Sequence, residues 1–316
     1  MKRLIILPVL LMLLNKVSFS QTDSLSVSQG ELDSLIAFIK ADSANHAKKS
    51  HLKFQVGYLS NEVYNGRKDS VLLPYITPLL SYHHKSGLYA NASLSYANSA
   101  EEKRIDLFTL AAGYDFKLSR TFKMGFDASK YFYNSNSIAI QSATKGMIGS
   151  YVSWEPDTAN LSISTGLIIL FSNRTDVSTN ISISYSFYFG TGAKQQWSVM
   201  PTITSYQGTQ QYYQEYREKA PPQIGGRSNT PPQNIKIQGS NKFVLLDYEL
   251  SLPVSYDTKK WGVAFTPIYA IPKNPVSQVN ANGNTKILEK LNNVFYFDVT
   301  AYFKFLQKNK APQFFL

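Results

Sequence analysis

From His51 onward the chain alternates apolar and polar residues with a period of two, and it keeps that period almost to its end. The last such stretch shows it best: Phe295, Phe297, Val299, Ala301, Phe303 and Phe305 fall on one face, and Tyr296, Asp298, Thr300, Tyr302 and Lys304 on the other. Successive side chains of a strand point to opposite faces, so this pattern predicts strands with one apolar and one polar side. The pattern recurs in Ile181, Ile183, Tyr185, Phe187 and Phe189, in Val244, Leu246, Tyr248, Leu250 and Leu252 (against Leu245, Asp247 and Glu249), and in Leu161, Ile163, Thr165 and Leu167. About twelve segments are predicted, near 51–60, 72–83, 87–97, 104–116, 121–133, 145–155, 160–172, 177–189, 196–207, 241–255, 261–272 and 292–306. Most reach the roughly ten residues that a tilted strand needs to cross a bilayer.

The connections alternate in length. One end receives the short turns 84–87, 117–120, 156–159, 190–194 and 257–260. The other receives 61–71, 98–103, 134–144, 208–240 and 273–291, with 172–176 as its short member. Short periplasmic turns and longer outer loops are the layout of outer-membrane barrels, and an even strand count returns both ends of the barrel to the periplasm. The expected fold is therefore all-β: an antiparallel up-and-down transmembrane β-barrel of about 12 strands over 51–306. A soluble β-sandwich alternates in the same way. It is disfavoured by the strand length, by the alternation of loop length, and by aromatic residues near strand ends (Trp154, Phe171, Phe189, Trp197, Trp261 and Phe305), where interfacial girdles sit.

The flanks behave differently. Lys2 and Arg3 precede an apolar run over 4–14, and Ser18-Phe19-Ser20 stands before Gln21. This is the layout of a cleaved signal peptide over 1–20, and the run is too short to span a bilayer. In the 21–50 segment, Ser28 and Glu31 have capping-box spacing, and Leu32, Leu35, Ile36 and Ile39 make one stripe. A periplasmic helix over about 29–46 is expected, either as a linker or as a piece that docks on the barrel. The 208–240 segment, rich in Gln and Pro, reads as a long outer loop, with room for a helix or short hairpin. A polar tail occupies 307–316.

Composition sharpens this reading. The chain has no cysteine, which excludes a lipoprotein anchor, disulfides and thiolate-held metals. Loss of Lys2, Arg3 and Lys16 with the signal lowers the formal net charge from +11 to +8. For an exported chain this basic balance fits lipid head groups or acidic ligands, including lipopolysaccharide phosphates, and not nucleic acid. The basic residues expected on outer loops are Arg217, Lys219, Arg227, Lys236, Lys273, Lys286 and Lys290.

With its signal ending Phe19-Ser20-Gln21, its alternating strands and the hairpin Tyr82-His83-His84-Lys85-Ser86-Gly87-Leu88-Tyr89, the chain resembles the uncharacterised outer-membrane β-barrel proteins of Bacteroidota-type bacteria. The resemblance spans the mature chain and is mainly one of pattern. It implies insertion by the outer-membrane assembly machinery but attaches no activity. The chain departs from the usual barrel in ending its last strand near Phe305 and continuing to Phe314-Phe315-Leu316.

Candidate chemistry is sparse. Lys53, Lys123, Asp127, Asp247, Glu249, Asp298 and Lys304 are expected on the inward face, since charge against lipid is costly. They fit either a salt-bridged interior or a narrow aqueous path for small polar solutes, and twelve strands lie between filled and open barrels. Some twelve-stranded barrels are phospholipases with a Ser–His pair on the lipid-facing wall. The nearest pairs here are His83 with Ser81 or Ser95, at the expected periplasmic end, so an enzyme is disfavoured. His46, His51, His83 and His84 read as polar residues near turns and junctions, and no cofactor is expected. Three functions stand in order: a narrow channel, a structural or binding barrel, and a lipid-modifying enzyme.

Overall fold

The computed structural model describes residues 50–68, 71–99, 103–190, 195–218, 237–279, 285–287 and 291–306. The expected signal peptide, the helix over 29–46 and the tail 307–316 lie outside the described residues. Twelve long strands appear among those described. They are β1 (His51–Leu59), β2 (Tyr75–His83), β3 (Leu88–Asn98), β4 (Lys103–Lys117), β5 (Phe122–Tyr133), β6 (Gly146–Trp154) and β7 (Leu161–Phe171). Then come β8 (Thr175–Tyr185, resuming at Phe187–Phe189), β9 (Gln195–Val199 and Thr202–Gly208), β10 (Val244–Ser251 and Val254–Thr258), β11 (Trp261–Pro272) and β12 (Val294–Leu306).

Each strand pairs antiparallel with the next. The last returns to the first, from His51↔Leu306 to Leu59↔Asp298. The sheet is closed. Closure leaves the wall without an unpaired edge, which is the condition for standing in lipid. Pro201 and Pro253 interrupt β9 and β10 side by side, and the Met200 amide donates to the Pro253 carbonyl at 2.9 Å. Proline has no N–H to give the ladder, so the two breaks fall together and cost little pairing.

The two faces are the reverse of those in a soluble protein. In β1, Lys53 is fully buried while Leu52, Phe54 and Val56 beside it are 38%, 44% and 38% exposed. In β12, Tyr296, Asp298, Thr300, Tyr302 and Lys304 are buried, while Phe295, Val299, Phe303 and Phe305 are exposed. The same inversion runs around the ring, through Leu110, Phe126, Ile148, Leu167, Ile181, Ile203, Leu250 and Phe265. A continuous apolar outer surface around a polar interior is stable against hydrocarbon, not against water. Trp154, Phe189, Trp197, Trp261 and Phe305 are exposed at the short-turn end and form one girdle, with Tyr256 bridging the rings of Trp197 and Trp261. Phe171 lies at the other end of its strand.

Alternation breaks at the bulges: in β4, Asp106 and Leu107 are both buried where the register with β3 shifts between Ser95 and Tyr96. Leu246, expected on the outer face, is fully buried beside Asp247. The register between β9 and β10 shifts between Tyr206 and Gln207, and such a bulge turns the strand locally so that neighbouring residues share a side.

Candidate functional site

The seven charged residues expected inside are spread along the barrel and do not form one cluster. Lys53 and Lys304 stand directly opposite each other near the short-turn end, and both ammonium groups lie over the Tyr302 ring, at 4.9 and 5.1 Å from its centroid. The shared ring offsets their repulsion. The Tyr302 hydroxyl donates to Asp257. Lys123 pairs with Glu155 at 2.5 Å, and Asp127 folds over Gly149. Toward the long-loop end, Asp298 accepts from Thr300 Oγ1 at 2.9 Å, Glu249 accepts from the Tyr296 hydroxyl at 2.9 Å, and Asp247 is fully buried.

Between these groups the wall of β4 to β8 carries glycines on its inner face. Glycines face large neighbours there: a Cβ on Gly113 would stand 2.3 Å from the Tyr89 ring, and one on Gly125 would stand 2.3 Å from Tyr151 and 2.4 Å from Asp115. Tyr151 donates to Asp115 at 2.8 Å. The aromatic rings and carboxylates pack closely over a glycine-lined wall. With Ser162, Asn180, Ser182 and Ser184 half-buried on neighbouring strands, this side of the lumen is polar and lined by small residues.

The long-loop mouth is filled. Chain 61–71, expected as a plain outer loop, forms a two-stranded hairpin, Val63–Tyr64 with Arg67–Lys68. Its turn is Asn65-Gly66, with φ of 49° and 71°. Such Asn-Gly pairs favour the tight turn whose twist matches a hairpin. At its tip Gly66 meets Asp247 of β10 and Pro272 of β11. The 208–240 segment, read as a long outer loop with room for a helix or short hairpin, forms helix α1 (Gln211–Glu218) at its described start; the helix folds inward and buries Tyr212, Tyr213 and Tyr216. These rings share one apolar cluster with Tyr64 of the hairpin, Ile140 of chain 134–144, and Leu107, Tyr131, Ile168 and Leu170 of the wall. A second cluster joins Val63 and Leu73 to Ile138, Ile268 and Tyr296.

Polar contacts fix the helix to the wall. Asp176 of β8 accepts from the amides of Gln211 and Tyr212 at 2.7 and 2.6 Å, an N-cap supplied by a distant strand. Glu215 Oε1 accepts from the Ser172 hydroxyl and the Arg174 amide, both at 2.6 Å. Arg174 forms a two-pronged pair with Glu218 at 2.9 Å on each side. That contact holds the Glu218 carboxyl below the usual glutamate range. Arg67, 1% exposed, joins three pieces: it donates to Gln210 Oε1 at 2.6 Å and to the Asn274 carbonyl at 2.9 Å, and it lies 5.5 Å from the centre of the Tyr213 ring. Sequence reasoning missed Arg67 and the three tyrosines. The Asn-Gly turn was the available signal for the hairpin.

His51 and His83 stack at 5.0 Å inside the short-turn end, and Tyr89 stacks on His83. Ser81 is buried on the inward side, and Ser95 contacts Thr77. His83 therefore meets the rings of His51 and Tyr89 within the barrel, on the same inward side as Ser81. Of the basic loop residues, Lys273 is exposed at the long-loop end. Arg217 lies within α1 and Lys286 within the short strand Thr285–Ile287; their side chains, and Lys219, Arg227, Lys236 and Lys290, lie outside the described residues.

A closed barrel with an apolar outside, a polar inside and a folded mouth defines a transmembrane β-barrel of the outer-membrane type. No protein-family model and no curated protein sequence matches the chain. Among solved structures, it is similar to the KdgM porin, with 11% identity, TM-score 0.43 and coverage of 81% of this chain and 99% of that one. It is similar to an outer membrane channel from Pseudomonas putida F1 at 10% identity and TM-score 0.44, over 92% of this chain and 100% of that one. It is also similar to LpxR from Salmonella typhimurium at 8% identity and TM-score 0.45, over 80% and 99%.

Proposed function

We propose that this protein is a non-enzymatic outer-membrane channel for small polar solutes, exported by a cleaved signal peptide in a Bacteroidota-type Gram-negative bacterium. The observation that supports the reading is the polar inner face of the closed twelve-stranded ring, which from β4 to β8 carries glycines, serines and charged groups. A twelve-stranded ring is wider than the eight-stranded barrels that side chains just fill. The lumen polar groups Lys53, Lys123, Asp127, Asp247, Glu249, Asp298 and Lys304 hydrate and guide the solute. The basic residues of the long-loop end, Arg217, Lys219, Arg227, Lys236, Lys273, Lys286 and Lys290, face lipopolysaccharide phosphates. The short-turn end then lies in the periplasm, and the assembly machinery inserts the barrel.

The filled mouth favours a second reading, a binding barrel that works through its outer loops. Liposome swelling separates the two. Purified protein in lipid vesicles is expected to admit a small neutral solute such as glycerol or a monosaccharide and to exclude a large dextran. Vesicles holding correctly folded protein that admit no small solute, with the mouth intact or disrupted, would overturn the channel reading.

A further inference from the structure

We propose that the hairpin Val63–Lys68 and helix α1 form a gate over the long-loop mouth, pinned by Arg67 and latched to the wall by Glu215. The inference rests on the channel reading and adds its regulation.

Three observations carry it. First, the gate can leave without damage to the wall. The hairpin bonds are internal, Val63↔Lys68 and Tyr64↔Arg67, and the hairpin forms a sheet of its own. The helix satisfies itself through its own turns, and side chains hold it to the wall: Asp176, Glu215 and Arg174. Both pieces are tethered at the same end, so withdrawal breaks side-chain contacts and leaves the twelve-strand ladder whole.

Second, the gate is not built like a permanent core. Glu62, Asn65, Arg67, Gln210, Gln214 and Glu215 are all buried in it. Such groups tolerate burial only through their hydrogen bonds, and water can take the place of those partners on opening. An all-apolar stopper would gain nothing from hydration.

Third, the contacts that unite the two pieces converge. Arg67 meets Gln210 and Tyr213 next to and within the helix and reaches Asn274 after β11. Asn65 Nδ2 contacts the Tyr212 hydroxyl at 3.5 Å, and the Tyr64 and Tyr212 rings meet edge to face at 4.7 Å. Removal of the guanidinium therefore loosens hairpin and helix together. A lysine keeps the charge but lacks the flat guanidinium that lies over the Tyr213 ring.

The test is single-channel recording in planar bilayers on wild type, Arg67→Ala, Arg67→Lys and Glu215→Ala. Folding of each is verified by the change in gel mobility on heating. Arg67→Ala and Glu215→Ala are expected to raise the open probability at least tenfold, with Arg67→Lys between them and wild type. Folded variants that open no more often than a conducting wild type would overturn the gate and leave the channel standing. Folded barrels that stay silent in all four forms would overturn both.

Discussion

Gly66 is the tightest point of the plug. Its φ of 71° already favours glycine, and a Cβ there would stand 2.6 Å from Pro272 Cβ and 2.9 Å from the Asp247 carboxyl carbon. Gly66→Ala is expected to cost about 1–3 kcal/mol in local stability through backbone strain and the clash. Hydrogen exchange of the Val63–Lys68 amides would show it as lost protection while the barrel amides stay protected; unchanged hairpin protection would contradict the packing described. Lys53 and Lys304 show what one residue in its sequence reveals. Their inward direction follows from alternation, because a charge on the lipid side of a strand is expensive. Their common contact with Tyr302 does not follow, because cross-strand register is set by closure of the ring. Arg67 was still less legible, since its partners lie in two other loops far apart in sequence.

At the scale of elements, the strands were legible because period two repeats over ten residues with aromatic and β-branched side chains on one face. One consequence is sharp. Phe54→Lys, near the middle of β1 on the outer face, is expected to lower barrel stability by about 2–4 kcal/mol, the scale for a cation near the bilayer midplane. Urea unfolding in lipid vesicles would measure it, and a neutral result would deny that Phe54 faces lipid. Helix α1 could be allowed for in the sequence but not placed, for a physical reason. Its cap is Asp176 on β8, its clamp runs to Arg174, and its stripe is three tyrosines, so nothing local marks its start. The Arg174–Glu218 pair gives it a pH dependence. Glu218 titrates below its ordinary value because Arg174 bonds its charged form. The stabilisation is thus present above the unfolded glutamate value, about 4.3, and is lost as pH falls through the lower folded value. Both side chains are more than a third exposed, so the pair is worth about 0.2–1 kcal/mol at most. Helix protection is expected to fall below about pH 4 in wild type. In Glu218→Gln it should already be reduced at neutral pH, with no contribution from that position to the acid loss.

At the scale of the whole molecule, an apolar exterior, a polar interior and a closed ladder imply one another: the exterior requires lipid, lipid requires closure, and closure leaves the polar side chains an interior of their own. That much was readable from the sequence pattern. The filled mouth was not, because it depends on loops meeting across the ring. The absence of cysteine makes the orientation of the wall directly measurable, since each introduced cysteine carries a single nitroxide. Labels placed one at a time from Asp298 to Phe303 in β12, with the protein in vesicles, should alternate. Labels at Val299, Ala301 and Phe303 should collide freely with oxygen dissolved in the bilayer, and those at Asp298, Thr300 and Tyr302 should be shielded from it. Equal oxygen access at all six positions, or the opposite alternation, would contradict a barrel with its polar face inward.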